Sequence, residues 1–292
     1  MVVTVLSLRG GQRPTRQSQE IASSSTRNDS VRKVLKILKK RFPNPGAMEL
    51  GGDPFRTLCA VMLSARTRDE QVLKLLPGFF AAFPTPGALA AATVKDIEAK
   101  VNTIGMYRQK AKNLKKMAER LERPEKAERR RGEVPDTMEE LVELPGVGRK
   151  TASVVLASCF GQDAIAVDTH VHRVTNRLGW VRTKTPEKTE AALLAIVPKD
   201  VMKIVNQVFV KFGRYVCIGA PRCWMCPVKD ACAYAKKNLV PPANADAIRA
   251  DIERRERELE TSRRFVIARS EATRQSQGIA SRQRRAGRFR SQ

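Results

Sequence analysis

Histidine is nearly absent from this sequence: His170 and His172 are the only two among 292 residues. They stand two apart in "THVHRV", and side chains at i and i+2 of a helix diverge, which excludes a histidine-based metal site there. Long apolar runs are missing as well. Stretches such as "ASVVLAS" fall far short of the roughly 20 residues a membrane-spanning helix needs. The opening "MVVTVLSL" has no basic segment before it and no small-residue cleavage site of the usual form, so no secretory signal is expected. Strand-type alternation bounded by hairpin turn signals does not occur, which argues against a β fold. Acidic residues are scarce beside basic ones, 30 against 55. These shortages together predict an all-α protein with no membrane association; a cytoplasmic monomer is the expectation.

What is present is positive charge. A hydrophobic fraction of 42% supports a packed globular body, and the net charge of +25 favours a polyanionic partner, of which nucleic acid is the usual one. Residues 263–292 carry +8 and residues 1–30 carry +2, which leaves +15 for residues 31–262. The body is therefore basic in its own right, and binding to nucleic acid is expected of it.

The two ends share a repeat, "TRQSQEIAS" at 15–23 and "TRQSQGIAS" at 273–281. Two copies so far apart do not make a solenoid, and their Ser, Gln and Arg content predicts disordered tails at 1–30 and 243–292. Within the second tail, "ADAIRADIERRERELETSRR" (245–264) is compatible with a charged helix but shows no apolar face. Between the tails, helical periodicity is expected over 30–42, 53–65, 69–83, 93–101, 108–123, 136–144, 149–160, 169–180, 185–197 and 201–217.

The most informative stretch is "LVELPGVGRKTA". Pro145 stops one helix, and Gly146 and Gly148 permit the sharp turn that starts the next. Such a turn aims backbone N–H groups outward at the positive end of a helix dipole, which is a seat for a phosphate. Lys150 lies in the first turn of the second helix, whose body "TASVVLASCF" is apolar nearly all round. An amine at the edge of a core and facing a helix N-terminus is favoured in its neutral, nucleophilic form. From Lys150 the helix rises about 1.5 Å per residue to Phe160, and "QDAIAV", if extended at about 3.3 Å per residue, is long enough to return. Asp168 is thereby expected beside Lys150, at the N-cap position of "THVHRVTNRL".

Four of the six cysteines cluster in "CIGAPRCWMCPVKDAC": Cys217, Cys223, Cys226 and Cys232. Four thiols within so short a run point to a metal centre. Zinc ribbons usually show two separated Cys-x2-Cys pairs, whereas a single compact run with one such pair, followed by Pro227, suits an iron–sulfur cluster better. Cys59 and Cys159 lie in apolar helical stretches and read as core residues.

"LPGVGRKTASVV", "AIAVDTHVHRVTNR", "DPFRTLCAVMLSARTRDE", "TIGMYRQKAKNL" and the four-Cys loop together resemble the endonuclease III family of helix-hairpin-helix DNA glycosylases. The resemblance runs from about Val31 to Ala235. It implies a two-domain α-helical fold: a six-helix barrel over 47–162, and a cluster domain from 31–46 plus 163–242 holding a [4Fe–4S] cluster on the four cysteines. It further implies a bifunctional DNA N-glycosylase and abasic-site lyase that flips oxidised pyrimidines or abasic sites out of double-stranded DNA. Lys150 would attack C1′ and form a Schiff base, with Asp168 assisting. Gly146, Val147, Gly148 and Arg149 would contact a backbone phosphate, and Met106 would wedge into the duplex.

Three departures accompany the resemblance. Arg66 stands in "SARTRD" where the family usually carries a glutamine that fills the space left by the flipped base. The first cysteine gap is one residue shorter than usual and keeps Arg222 as its one basic residue. The repeat-bearing tails have no family counterpart. Two other functions fit the same scaffold: a monofunctional mismatch glycosylase, or a non-catalytic DNA-binding iron–sulfur protein.

Overall fold

Side-chain caps decide where six of the helices begin. In the computed structural model, which describes residues 16–44, 46, 48–124 and 130–289, Asp53 accepts from the Arg56 amide at 3.0 Å and starts α2 (Pro54–Ser64). Thr85 caps α4 (Pro86–Ala91), and Thr93 with Asp96 forms a reciprocal capping box on α5 (Val94–Val101). Thr137 caps α7 (Met138–Glu143), Asp168 caps α9 (Thr169–Leu178) and Thr185 caps α10 (Pro186–Ile196). Each cap satisfies a donor that the first turn cannot bond internally. By contrast, α3 (Asp69–Ala82), α6 (Tyr107–Glu122), α8 (Arg149–Cys159) and α11 (Lys199–Tyr215) start without a side-chain cap. With α1 (Arg16–Arg41), α12 (Ala245–Phe289) and two 3-10 turns, these are the regular elements of the described residues, and none of those residues is in a strand.

Every stretch expected to be helical is one, with ends within two residues except that α1 begins earlier. The short α4 was not expected. Its signals, a Thr cap and a proline at the first helical position, sit in "PTPGALAAA", which is too short for periodicity to register.

Two apolar cores are assembled from these helices. The first packs α2, α3, α5, α6 and α8 around Leu58, Leu63, Leu76, Phe79, Leu114 and Val155. The second packs α1, α9 and α11 around Leu35, Leu38, Val171, Val174, Val208 and Phe209. At about 1.5–3 kcal/mol per fully buried side chain of this size, each core is a substantial stabilising unit.

The return segment joins the two cores. After a turn at Gly161 and a bend at Asp163, residues 164–168 belong to no helix, and their side chains alternate in direction as those of an extended chain do. Ala164 and Ala166 accordingly enter the first core while Ile165 and Val167 enter the second. The Asn206 side chain donates to the Ala166 carbonyl at 2.7 Å and holds the segment in register. Asp168 therefore emerges at the seam. Two ion pairs cross the same seam, Arg214 to Asp69 at 2.8 Å and Arg149 to Glu190 at 3.0 Å.

One reading is corrected. Residues 245–264 were expected to lack an apolar face, yet α12 buries Ile252 in the second core and Leu259 and Val266 in the first. These three recur every seven residues, so one side chain per two turns forms a stripe too sparse to register against the surrounding charges. At its start Arg249 lies over the Trp224 ring, 5.3 Å from the centroid, so the helix spans from the four-Cys loop to the barrel side. Disorder was expected over 1–30 and 243–292. Of these, 1–15 and 290–292 lie outside the described residues, and over 16–30 and 245–289 the described backbone is helical.

Candidate functional site

The turn between α7 and α8 uses its two glycines differently. Gly146 has φ +81, and a Cβ there would lie 2.6 Å from Asn113 Nδ2 and 2.8 Å from Asn113 Cβ. Backbone conformation and close packing both demand glycine at that position. Val147, 6% exposed, anchors the turn in the first core, and its amide closes onto the Leu144 carbonyl at 3.0 Å. Gly148 has an ordinary φ of −102 and open space where a Cβ would be. The fold does not require glycine there. What Gly148 provides is an unobstructed approach to the first amides of α8, which carry no side-chain cap and face outward with the dipole behind them.

Lys150 is the second residue of α8 and is half-buried, while Ala152, Ser153, Val154, Val155 and Leu156 behind it are buried. Asp168 is half-buried at the head of α9, where its carboxylate accepts from the His170 amide at 2.9 Å and the Val171 amide at 2.8 Å. These two bonds fix the orientation of the carboxylate. Lys150 and Asp168 make no direct ion pair, so neither neutralises the other. Beside Asp168, burial pushes the His170 imidazole down from its usual range, and the packing is close: a Cβ at Gly213 would lie 2.8 Å from His170 Cβ.

Arg149, expected to contact a phosphate, is held at one side-chain nitrogen and stays half exposed. Its Nε donates to Glu190 Oε2 at 3.0 Å, and Glu190 also accepts from Ser153 at 3.3 Å. Its guanidinium is therefore engaged in tying α8 to α10.

Arg66 and Met106 share an unusual backbone. They are the only non-glycine residues with positive φ among those described, at 54 and 58. The left-handed conformation costs a side-chain-bearing residue about 1 kcal/mol or more, and such strain concentrates at functional sites. Both side chains are exposed, Met106 by 55%. A large apolar side chain held out into solvent on a strained backbone is not explained by folding.

The four cysteines line one pocket with Val174, Leu178, Phe212 and Val216. Burial pushes the Cys217 thiol up and the Cys226 thiol up to about 12, so ionisation there calls for positive charge nearby. Among the described residues, no three His, Cys, Asp or Glu side chains converge closely enough to hold a single metal ion. Two arginines of α9 secure the loop, and sequence reasoning did not single them out. Arg173 donates to the Cys217 carbonyl at 3.1 Å, while Arg177 donates to the Gly219 carbonyl at 2.8 Å and reaches Cys217 Sγ at 3.5 Å. Their spacing of four, "RVTNR", is a signal that both share one helix face, but without the loop's position it names no target.

Residues 59–199 match the family model described as "HhH-GPD superfamily base excision DNA repair protein". The chain is 42% identical over 208 residues to endonuclease III of Thermotoga maritima, covering 71% of this chain and 94% of that one. It is 38% identical over 205 residues to endonuclease III of Escherichia coli, covering 70% and 95%. A solved structure of a trapped endonuclease III–DNA covalent intermediate with an estranged adenine superposes with a TM-score of 0.65 at 38% identity, over 73% of this chain and 99% of that one. A thermostable thymine-DNA glycosylase, at 24% identity and TM-score 0.64, shares the fold.

Proposed function

The chain belongs to the endonuclease III family within the HhH-GPD superfamily, and from that premise we propose that Lys150 and Asp168 are the catalytic pair of a bifunctional DNA glycosylase. A base excision repair DNA glycosylase and abasic-site lyase of this family binds DNA, and here the seat is the uncapped start of α8 behind Gly148. A backbone phosphate received there brings the adjoining sugar to the next residues of the helix, where Lys150 stands. The substrate is double-stranded DNA with an oxidised pyrimidine or an abasic site, bound by a monomer whose basic body meets it at the nucleoid. Among the described residues, no helix is long and apolar enough to cross a membrane. The two apolar cores correspond to a barrel domain and a cluster domain, with the DNA held along the seam between them.

The chemistry follows from the two groups. The flipped nucleotide presents C1′ to the Lys150 amine. As the glycosidic bond breaks, positive charge develops on the sugar, and the fixed Asp168 carboxylate stabilises it. The nitrogen–carbon bond forms as the base departs with a proton, and the amine gives up its surplus protons to the carboxylate or water. The C1′–O4′ bond then breaks, O4′ takes up a proton, and the opened sugar is left joined to Lys150 as a Schiff base. The Schiff base acidifies C2′, and loss of that proton expels the 3′ phosphate by β-elimination. Arg66 and Met106 occupy the duplex on either side of the vacated position, the role for which a strained, exposed presentation is suited.

Cys217, Cys223, Cys226 and Cys232 hold a [4Fe–4S] cluster in this reading. A pocket that collects all four cysteines against apolar side chains supports the cluster, which these thiolates would hold. Arg177 supplies positive charge at Cys217 Sγ. The cluster would cross-link the loop after α11, and no step above passes through it. Iron and acid-labile sulfide in equal amounts, about four of each per chain, are the expected analysis; stoichiometric zinc would contradict it.

The observation that carries the reading is Lys150 at an open, uncapped helix start with Asp168 fixed at the head of α9. Asp168→Asn tests it, because asparagine caps a helix as well as aspartate but brings no charge. The variant is expected to melt like the wild type while base release from a duplex with an oxidised pyrimidine falls at least about 100-fold. Undiminished release would remove Asp168 from the mechanism.

A further inference from the structure

Lys110 is out of place by two ordinary rules. It lies in the first turn of α6, where a cation opposes the helix dipole, and it is only 8% exposed. Burial pushes its ammonium down to about 8. Its partners account for the exception. Lys110 Nζ donates to the Leu63 carbonyl at 2.8 Å, one of those that the end of α2 cannot satisfy within itself, and to Thr67 Oγ1 at 2.7 Å. Those two residues bracket the turn that presents Arg66 in its left-handed conformation. At its other end, the Lys110 amide closes onto the Met106 carbonyl at 3.0 Å. One residue thus stands behind both strained turns, by its main chain at Met106 and by its side chain at Arg66.

We propose that Lys110 is a positioning residue that sets the spacing between the Arg66 and Met106 side chains, so that both engage the duplex at the same base step. This inference rests on the glycosylase reading above. Lys110 touches neither substrate nor the reacting atoms. Its contribution is confined to opening a duplex, and a substrate that needs no opening does not use it. A buried carbonyl and a hydroxyl would lose their donor without it, and the Arg66 turn would relax toward less strained conformations.

Lys110→Met keeps the length and apolar stem of the side chain and removes the donors. Two readouts are compared in the variant and the wild type. Hydrogen exchange is expected to quicken at the amides of 64–68, with the rest of the barrel unchanged; unchanged exchange there would overturn the proposal whatever the activity. Nicking of a duplex containing an oxidised pyrimidine is expected to fall about tenfold, the usual consequence of losing one buried donor. Nicking of a single-stranded oligonucleotide with an abasic site is expected to stay within about twofold of wild type. An equal fall on both substrates would mark a merely structural role and overturn the proposal, as would no fall on the duplex. Thr67→Val, which removes one of the two acceptors, is expected to move the same ratio in the same direction by less. Wild-type protein that nicks neither substrate would instead refute the glycosylase reading, and the exchange measurement would still decide whether Lys110 holds the turn.

Discussion

The hairpin before Lys150 and the turns at Arg66 and Met106 solve opposite problems with the same region of backbone space. At Gly146 the left-handed conformation is adopted by the residue that adopts it freely, and no side chain is wanted because Asn113 fills the space. At Arg66 and Met106 the same conformation is forced on residues that resist it, with their side chains turned outward. The first turn is optimised for the fold and leaves backbone amides bare. The other two give up stability to present a side chain. In the proposed function the contrast separates two uses of one surface: receiving a phosphate needs the absence of side chains, and entering a base stack needs their presence.

That contrast can be broken at each position. Gly146→Ala is expected to have the largest effect on stability, about 3 kcal/mol, from a disfavoured φ together with the clash against Asn113. A melting temperature within a degree of wild type would show that the turn is not constrained as described. Gly148→Ala adds the same methyl group to an ordinary φ and open space, so thermal unfolding should be unaffected or slightly delayed. Its cost falls on DNA instead: affinity is expected to drop about tenfold and the salt dependence to flatten by about one phosphate contact. Equal affinity for the two proteins would mean that the phosphate does not sit at Gly148. Smallest in stability terms are Arg66→Gly and Met106→Gly. Relief of left-handed strain, about 1 kcal/mol, offsets the added freedom of the unfolded chain, so both should melt at or slightly above the wild-type temperature while base release from duplex DNA declines. A clear loss of stability in either would show that its side chain serves the core after all.

Much of the site was legible because its signals are local. Two glycines within five residues of a helical run, a lysine two positions on and an aspartate at a cap can be interpreted without knowing the fold. The return segment was legible in length but not in consequence: "AIAV" alternates between two cores, which only the assembled structure reveals. The left-handed backbone at Arg66 and Met106 was hidden, because nothing in an arginine or methionine advertises a positive φ that tertiary contacts impose. Lys110 was hidden for a similar reason. In "RQKAKNLKK" it is one of several lysines at helical spacing, and its two acceptors lie more than 40 residues earlier in the chain. The Glu190 partner of Arg149 was hidden as well, because it lies on α10, 41 residues later in the chain. In α12 one buried residue in seven was too thin a pattern to separate from the charged sequence around it.

The central claim is that the amine of Lys150 becomes covalently joined to the sugar it attacks. Incubating the protein with duplex DNA containing an abasic site, reducing with borohydride and mapping the cross-linked peptide by mass spectrometry tests this directly. The account predicts one adduct, on Lys150 in the peptide spanning "KTASVVLASCFGQDAIAVDTHVHR", and none above background in Lys150→Ala. An adduct on another lysine, or one that persists undiminished in Lys150→Ala, would contradict it.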